Sequence, residues 1–199
     1  EVKTEVVEPP KPPKPSPVDE VAEETVEENN ETLSPNVEFL DTNLVHDGLV
    51  LAVENSKQTS YLIDKRGNRY RDFNFDTSLG NDLEILNNGK LLGSFKVNGT
   101  AFSFGGHGGK ARIINQDGSI DWEYTIANDN QIAHHDVEQL PNGNILMLVW
   151  ERVTQADAIA FGINANNDIF PESLYEINPN TNQIVWEWKS INHLIQDQN

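Results

Sequence analysis

The 199 residues include no cysteine and one methionine, and only 14 lysines and arginines stand against 32 aspartates and glutamates. Without cysteine there is no disulfide framework, no thiolate zinc site and no cysteine nucleophile. A net charge of −18 argues against non-specific nucleic-acid binding and against adhesion to an anionic membrane surface. An anionic substrate would therefore need positive potential supplied locally by its site. No apolar run is long enough to cross a bilayer as a helix. A GxxxxGK[ST] phosphate loop, a GxGxxG after a strand and an HExxH motif are all missing. The glycine-rich GGHGG at 105–109 sits between strand-like runs, which makes it a very weak nucleotide signal. No cofactor is expected.

Aromatic residues are absent from positions 1–32, where PPKPPKPSP adjoins DEVAEETVEENNE. Such a segment cannot bury enough apolar surface to offset its ordering entropy. Residues 1–35 are expected to be a disordered Pro/Glu-rich linker or tether, with a Glu-rich helix over 18–31 as the alternative. About seven of the net negative charges fall in this tail. The chain opens on Glu rather than Met and shows no signal peptide, which fits a mature or trimmed form.

From residue 36 onward the pattern changes to short β-rich runs with evenly spaced turns. YLIDKRGNRYRDFNF (61–75), ARIINQDGSIDWEY (111–124) and LYEINPNTNQIVWEW (174–188) share one form: a β-rich run, a Gly/Asn/Pro turn, and a second run holding aromatics. The hairpin NDLEILNNGKLLGSF (81–95) recurs as HDVEQLPNGNILMLV (135–149). Together these make a four-stranded unit of about fifty residues, the signature of a β-propeller blade. The all-β reading places blades at 37–75, 82–125 and 136–188, with a fourth begun at 191. In the first blade the strands are expected at 37–44, 49–54, 61–64 and 70–75. Propellers close with about four to eight blades, so the chain reads as part of a larger ring.

The two hairpin copies differ where chemistry is most accessible: Gly80-Asn81 in the first copy is His134-His135 in the second. In an up-and-down blade, loops joining the outermost strand to the next innermost one share a face with loops joining the two middle strands. That rule puts His134, His135, His193 and His107 on one face, together with Lys96, Glu151 and Arg152. The insertion at 153–170 lies there too, and a loop of that length in a tight repeat reads as a lid or binding loop. His46 falls in a turn on the opposite side. Imidazole serves as general acid, base or nucleophile, and Lys or Arg holds a tetrahedral anion, so the set suits transfer of a charged group. Trp122, Trp186 and Trp188 read as packing residues between blades. Two histidines and Asp136 could hold a metal, but alternation along a strand would point His134 and His135 to opposite faces.

The run GGHGGKARIINQDGSIDWEYTIANDNQIAHHDVEQLPNGNILMLVWE resembles bacterial aryl-sulfate sulfotransferases of the arylsulfotransferase family. LYEINPNTNQIVWEWKSINHLIQD and NLVHDGLVLAVENSKQTSYLIDKRGN are similar to the same family. The resemblance implies a six-bladed propeller outside the cytoplasm, periplasmic or at the cell surface. It implies transfer of a sulfuryl group from an aryl sulfate to a phenol through a sulfated histidine, without a nucleotide sulfate donor. It supports His134 and His135 as active-site residues and, from KSINHLIQD, His193. Arg152, Lys96 and His107 are candidate substrate-binding residues from the face alone. The family's nucleophilic histidine and principal arginine would lie beyond Asn199, so the chain by itself would be inactive. The alternative is a non-catalytic extracytoplasmic propeller that binds a ligand or glycan, and a metal-dependent hydrolase is a third reading.

Overall fold

Asn-Gly turns fix the strand ends. In the turn at 86–90, Leu86 N–H donates to the Lys90 carbonyl at 2.8 Å and Gly89 N–H to the Leu86 carbonyl at 2.8 Å. The Asn88 side chain accepts the Lys90 N–H at 3.0 Å. The turn at 140–144 repeats every one of these bonds, with Asn142 accepting from Asn144 at 3.0 Å. Gly89 and Gly143 have φ of 78° and 84°, a left-handed conformation that a Cβ would strain.

The structure, a computed structural model, describes residues 33–193. The expected linker, except for its last three residues, and the continuation at 194–199 lie outside the described residues. Three antiparallel sheets are present, each a meander of sequential strands. The first holds β1 (Val50–Val53), β2 (Thr59–Ile63) and β3 (Arg69–Asn74). The second holds β4 (Leu79–Ile85), β5 (Leu91–Lys96), β6 (Gly109–Ile114) and β7 (Ile120–Thr125). The third holds β8 (Gln131–Gln139), β9 (Ile145–Glu151), β10 (Glu172–Asn178) and β11 (Gln183–Lys189). Helix is confined, among the described residues, to α1 (Gln155–Ala160) and a 3₁₀ turn at Ser190–His193. Among the described residues, no helix is long and apolar enough to cross a membrane.

Three strands depart from expectation, and β4 does so least, beginning at Leu79 ahead of the expected residue 82. The strand expected at 37–44 is a run of turns and bends, so the first sheet has three strands. Asp41 is the reason: its side chain accepts the Asn43 N–H at 2.9 Å, and its carbonyl accepts from Leu44 and Val45 at 3.1 and 3.2 Å. Those bonds close a local turn in place of a ladder. β8 begins at Gln131, ahead of the expected Asp136, so the two histidines lie within a strand rather than at the end of a loop.

The sheets are held together by apolar cores and by polar cross-links. Leu79, Leu83, Leu91, Phe95 and Ile114 of the second sheet pack with Leu51, Val53, Phe73 and Phe75. Burying a side chain the size of Phe95 contributes about 2–3 kcal/mol, and its ring meets Phe75 edge-on at 5.2 Å. Buried Arg112 on β6 reaches Asp76 in the β3–β4 connection and Glu123 at 2.6 Å. Leu92, Ile113 and Trp122 of the second sheet pack with Val137, Met147 and Tyr175 of the third. Trp122 Nε1–H also donates to Asn182 Oδ1 at 2.7 Å, tying β7 to the turn between β10 and β11.

Candidate functional site

The histidines are brought together by a break in the β8–β9 ladder. Ala133 pairs with Val149 and Val137 with Met147, so residues 134–136 stand opposite Leu148 alone. β4 breaks identically: Leu79 pairs with Phe95 and Leu83 with Gly93, leaving residues 80–82 opposite Ser94. The bulge is thus part of the repeat, and Gly80-Asn81 and His134-His135 occupy the same two places in it. Backbone groups released by the bulge are collected by the second sheet. Ser94 Oγ–H donates to the His134 carbonyl at 3.1 Å, and Gly108 N–H to the Ala133 carbonyl at 3.0 Å. Val137 N–H donates to Asp82 Oδ2 at 3.1 Å.

A bulge suspends the alternation of side chains. His134 and His135 therefore lie side by side, with ring centroids 4.1 Å apart and planes tilted by 41°. This corrects the expectation that they point to opposite faces. Even so, no group of three or more His, Cys, Asp or Glu side chains among the described residues is placed to hold a metal ion.

The glycine-rich loop closes over the pair. Gly106 has φ of 87°, and a Cβ there would lie 2.6 Å from His135 Cδ2 and 2.9 Å from His134 Nε2. His134 Nε2 lies 3.4 Å from the Gly105 carbonyl. On its other side the His134 ring packs on Trp150, with centroids 3.9 Å apart. Phe104 meets Trp150 edge-on at 5.0 Å, and Phe170 from the end of the insertion meets Phe104 and Phe102 at 4.9 and 4.7 Å. The result is an aromatic wall beside two imidazoles.

His134 is 9% exposed. Burial first, then neighbouring His135, holds its imidazole below the ordinary value, against the pull of the Gly105 carbonyl, Glu172 and Asp136. His107 is held down likewise, by burial and then by the Lys96 cation. This biases His134 toward its neutral, proton-accepting form.

The other expected residues are placed as follows. Lys96 ends β5, and its Nζ donates to Ser56 Oγ at 2.6 Å. Arg152 is engaged by Asp168, at 2.8 Å through Nε and 2.7 Å through a terminal nitrogen. That pair, with the Val153–Ile169 bridge, ties the two ends of the insertion. The insertion is a small folded unit, with α1 capped by Thr154 and a core of Ala158, Ile163, Ala165 and Ile191. His193 stacks on Trp188, with centroids 5.0 Å apart and planes 9° from parallel, and its ring does not join the imidazole pair. Glu151 is buried and accepts from Gln131, Ser173, Tyr175 and Lys189. Burial pushes its carboxyl up, but the bonds from Tyr175, Lys189 and Gln131 outweigh that and leave it below the ordinary value.

Sequence reasoning missed Phe102, Phe104, Trp150, Phe170, Gly106 and Glu172. One signal was available: Trp150 replaces Lys96 of the earlier hairpin copy, a second departure from the repeat beside the histidines.

Comparison with known proteins gives three findings. No curated protein matches the chain. A crystal structure of a protein of unknown function from Bacteroides caccae matches with a TM-score of 0.46 and 13% identity over 72% of this chain, which spans 41% of that protein. The Arylsulfotransferase (ASST) family profile matches residues 82–199, the part of the chain that carries most of the second sheet, the glycine-rich loop and the third sheet with its imidazole pair. The chain belongs to the arylsulfotransferase family.

Proposed function

We propose that the chain is the N-terminal part of an aryl-sulfate sulfotransferase that moves a sulfuryl group from an aryl sulfate to a phenol without a nucleotide donor. The observation that carries this reading is a side-by-side imidazole pair against an aromatic wall, one ring of which is held below its ordinary pKa by burial, in a chain of this family. Aromatic faces suit an aryl group by offset or edge-on packing. Neutral imidazoles suit a reaction in which protons and a charged group change hands.

In the first step an imidazole nitrogen forms a bond to sulfur while the sulfur–oxygen bond to the aryl group breaks, and the electron pair leaves on the phenolate oxygen. In the second, a base removes the proton of the acceptor phenol, its oxygen bonds to sulfur, and the nitrogen–sulfur pair returns to the imidazole. His134 and His135 are proposed to hold the sulfuryl or leaving oxygens as charge develops on them. The nucleophile is left to a histidine of further repeats, with Lys96, His107 and His193 as accessory groups on the same side. Under this reading the three sheets are blades of a six-bladed propeller outside the cytoplasm, and the chain is inactive until the ring is complete. Ping-pong kinetics with 4-nitrophenyl sulfate and phenol in the complete protein is the expected result; obligatory ternary-complex kinetics contradicts the two-step exchange.

One observation favours a second reading, a non-catalytic binding propeller. Arg152, the cation expected to hold an anion, is engaged by Asp168. Binding of aryl ligands by the complete protein with no release of 4-nitrophenol would select it.

A further inference from the structure

The third sheet departs from the second at one end, and the departures converge. His134-His135 replaces Gly80-Asn81, Trp150 replaces Lys96, and Glu172, opposite Trp150 in register, replaces Gly109, opposite Lys96. The first two changes build the imidazole pair and its wall. The third puts a carboxylate, which the repeat does not require, at the first residue of β10, directly after the insertion.

His134 Nδ1 is fully buried and, among the described residues, has no hydrogen-bond partner. Glu172 Oε1 lies 3.4 Å from it. Among the described residues Glu172 has no other ion pair, and half of its side chain is exposed. We propose that Glu172 is the positioning residue of His134: its carboxylate closes that short gap, accepts the Nδ1 proton and fixes the tautomer in which Nε2 is unprotonated. The inference rests on the reading of the imidazole pair as the working site.

The two tautomers differ in what they leave buried. With the proton on Nε2, the Nδ1 lone pair faces a carboxylate in a place closed to water, and only a 3.4 Å contact with the Gly105 carbonyl is gained. Both this contact and the Nδ1–Glu172 separation are 3.4 Å, longer than the usual N–H···O range of about 2.7–3.2 Å, so the charge on the acceptor and not the distance separates the two tautomers. With the proton on Nδ1, the donor meets an ionised acceptor, and such bonds are about twice as strong as neutral ones. Nε2 is then free to take up a proton, and the resulting imidazolium finds an acceptor on each side, Glu172 and the Gly105 carbonyl. The titratable groups facing the ring are His135 and Asp136 from β8 and Glu172 from β10, while the glycine loop contributes the carbonyl. The same donor–acceptor arrangement sets the ring nitrogens of histidines in many sites.

Long-range ¹H–¹⁵N spectra of the ¹⁵N-labelled chain test this without turnover, with the His134 resonances identified by their loss in His134→Gln. At pH 7.5 the expected result is a protonated-type Nδ1 and an unprotonated-type Nε2. Glu172→Ala should move the proton to Nε2 and lower the titration midpoint. Glu172→Gln, which keeps size and a neutral acceptor, should lower the midpoint with the tautomer retained, and it decides the matter if the alanine variant does not fold. A proton on Nε2 in the unsubstituted chain, or a midpoint unmoved by Glu172→Gln, overturns the proposal. Absence of sulfuryl transfer by the complete protein, with this tautomer intact, would count against the function proposed above and leave the role of Glu172 standing.

Discussion

At Gly106 a methyl group has no room, because two imidazole rings stand where it would go. Gly106→Ala combines that overlap with a left-handed backbone, a strain of about 1–3 kcal/mol. The expected outcome is a matching fall in unfolding free energy and displaced His134 and His135 resonances; unchanged stability and spectra would show that the loop does not rest on the pair. His134 also sets a pH dependence. Its folded value lies below the ordinary 6.5, so the unfolded chain binds the proton more readily, and stability from this group is present above about 6.5 and lost as pH falls. His107 acts in the same direction, while Asp82 and Glu84, raised first by burial, act in the opposite one. Comparison with His134→Gln isolates the term: the variant should lose less stability between pH 7.5 and 5.5 than the parent, and an equal or larger loss would contradict the assignment.

At the scale of the element, the bulge in β8 depends on its neighbour. Asp82 lies in the corresponding bulge of β4 and accepts the Val137 N–H. Asp82→Ala leaves that buried donor without its partner, a loss of about 1–3 kcal/mol, whereas Asp82→Asn keeps an acceptor and should lose less. Urea unfolding of both variants checks this, and equal stability of the alanine variant and the parent would remove the cross-link from the account. The asparagine variant should also lose one pH term. Asp82 is held above 3.8, so its ionisation costs stability as pH rises from there through the folded value. Strand pairs and Asn-Gly turns were legible in the sequence because alternation and turn chemistry are local. The bulge was not, since its bonds run to Ser94, Gly108 and Asp82 in another sheet. The missing strand at 37–44 was misread because the Asx-type turn at Asp41 outcompetes a strand that has no partner.

At the scale of the whole molecule, one face of the third sheet is left uncovered by the other described sheets. Leu86, Leu92 and Trp122 of the second sheet are buried against the third. Their counterparts Leu140 and Leu146, with Leu148, Leu174 and Asp136, line a groove of about 340 Å³. Trp186, which corresponds to Trp122, is 47% exposed. Asp136 holds the place from which Asp82 accepts a neighbour's N–H. Under the propeller proposed above, this is the face that a further four-stranded unit would cover. The 199-residue chain should bind a hydrophobic dye such as anilinonaphthalene sulfonate, and Leu146→Ser with Leu148→Ser should weaken that signal. A parent chain that binds no dye would mean that the face is not an apolar docking surface.

The proposal that the imidazole pair works in sulfuryl transfer is tested most directly by turnover of 4-nitrophenyl sulfate with phenol, comparing the complete protein with its His134→Ala, His135→Ala double variant. Loss of two groups that stabilise developing charge predicts a fall in kcat of about 10²–10³-fold or more, with the fold retained. An undiminished rate in the folded double variant would contradict the assignment of this site.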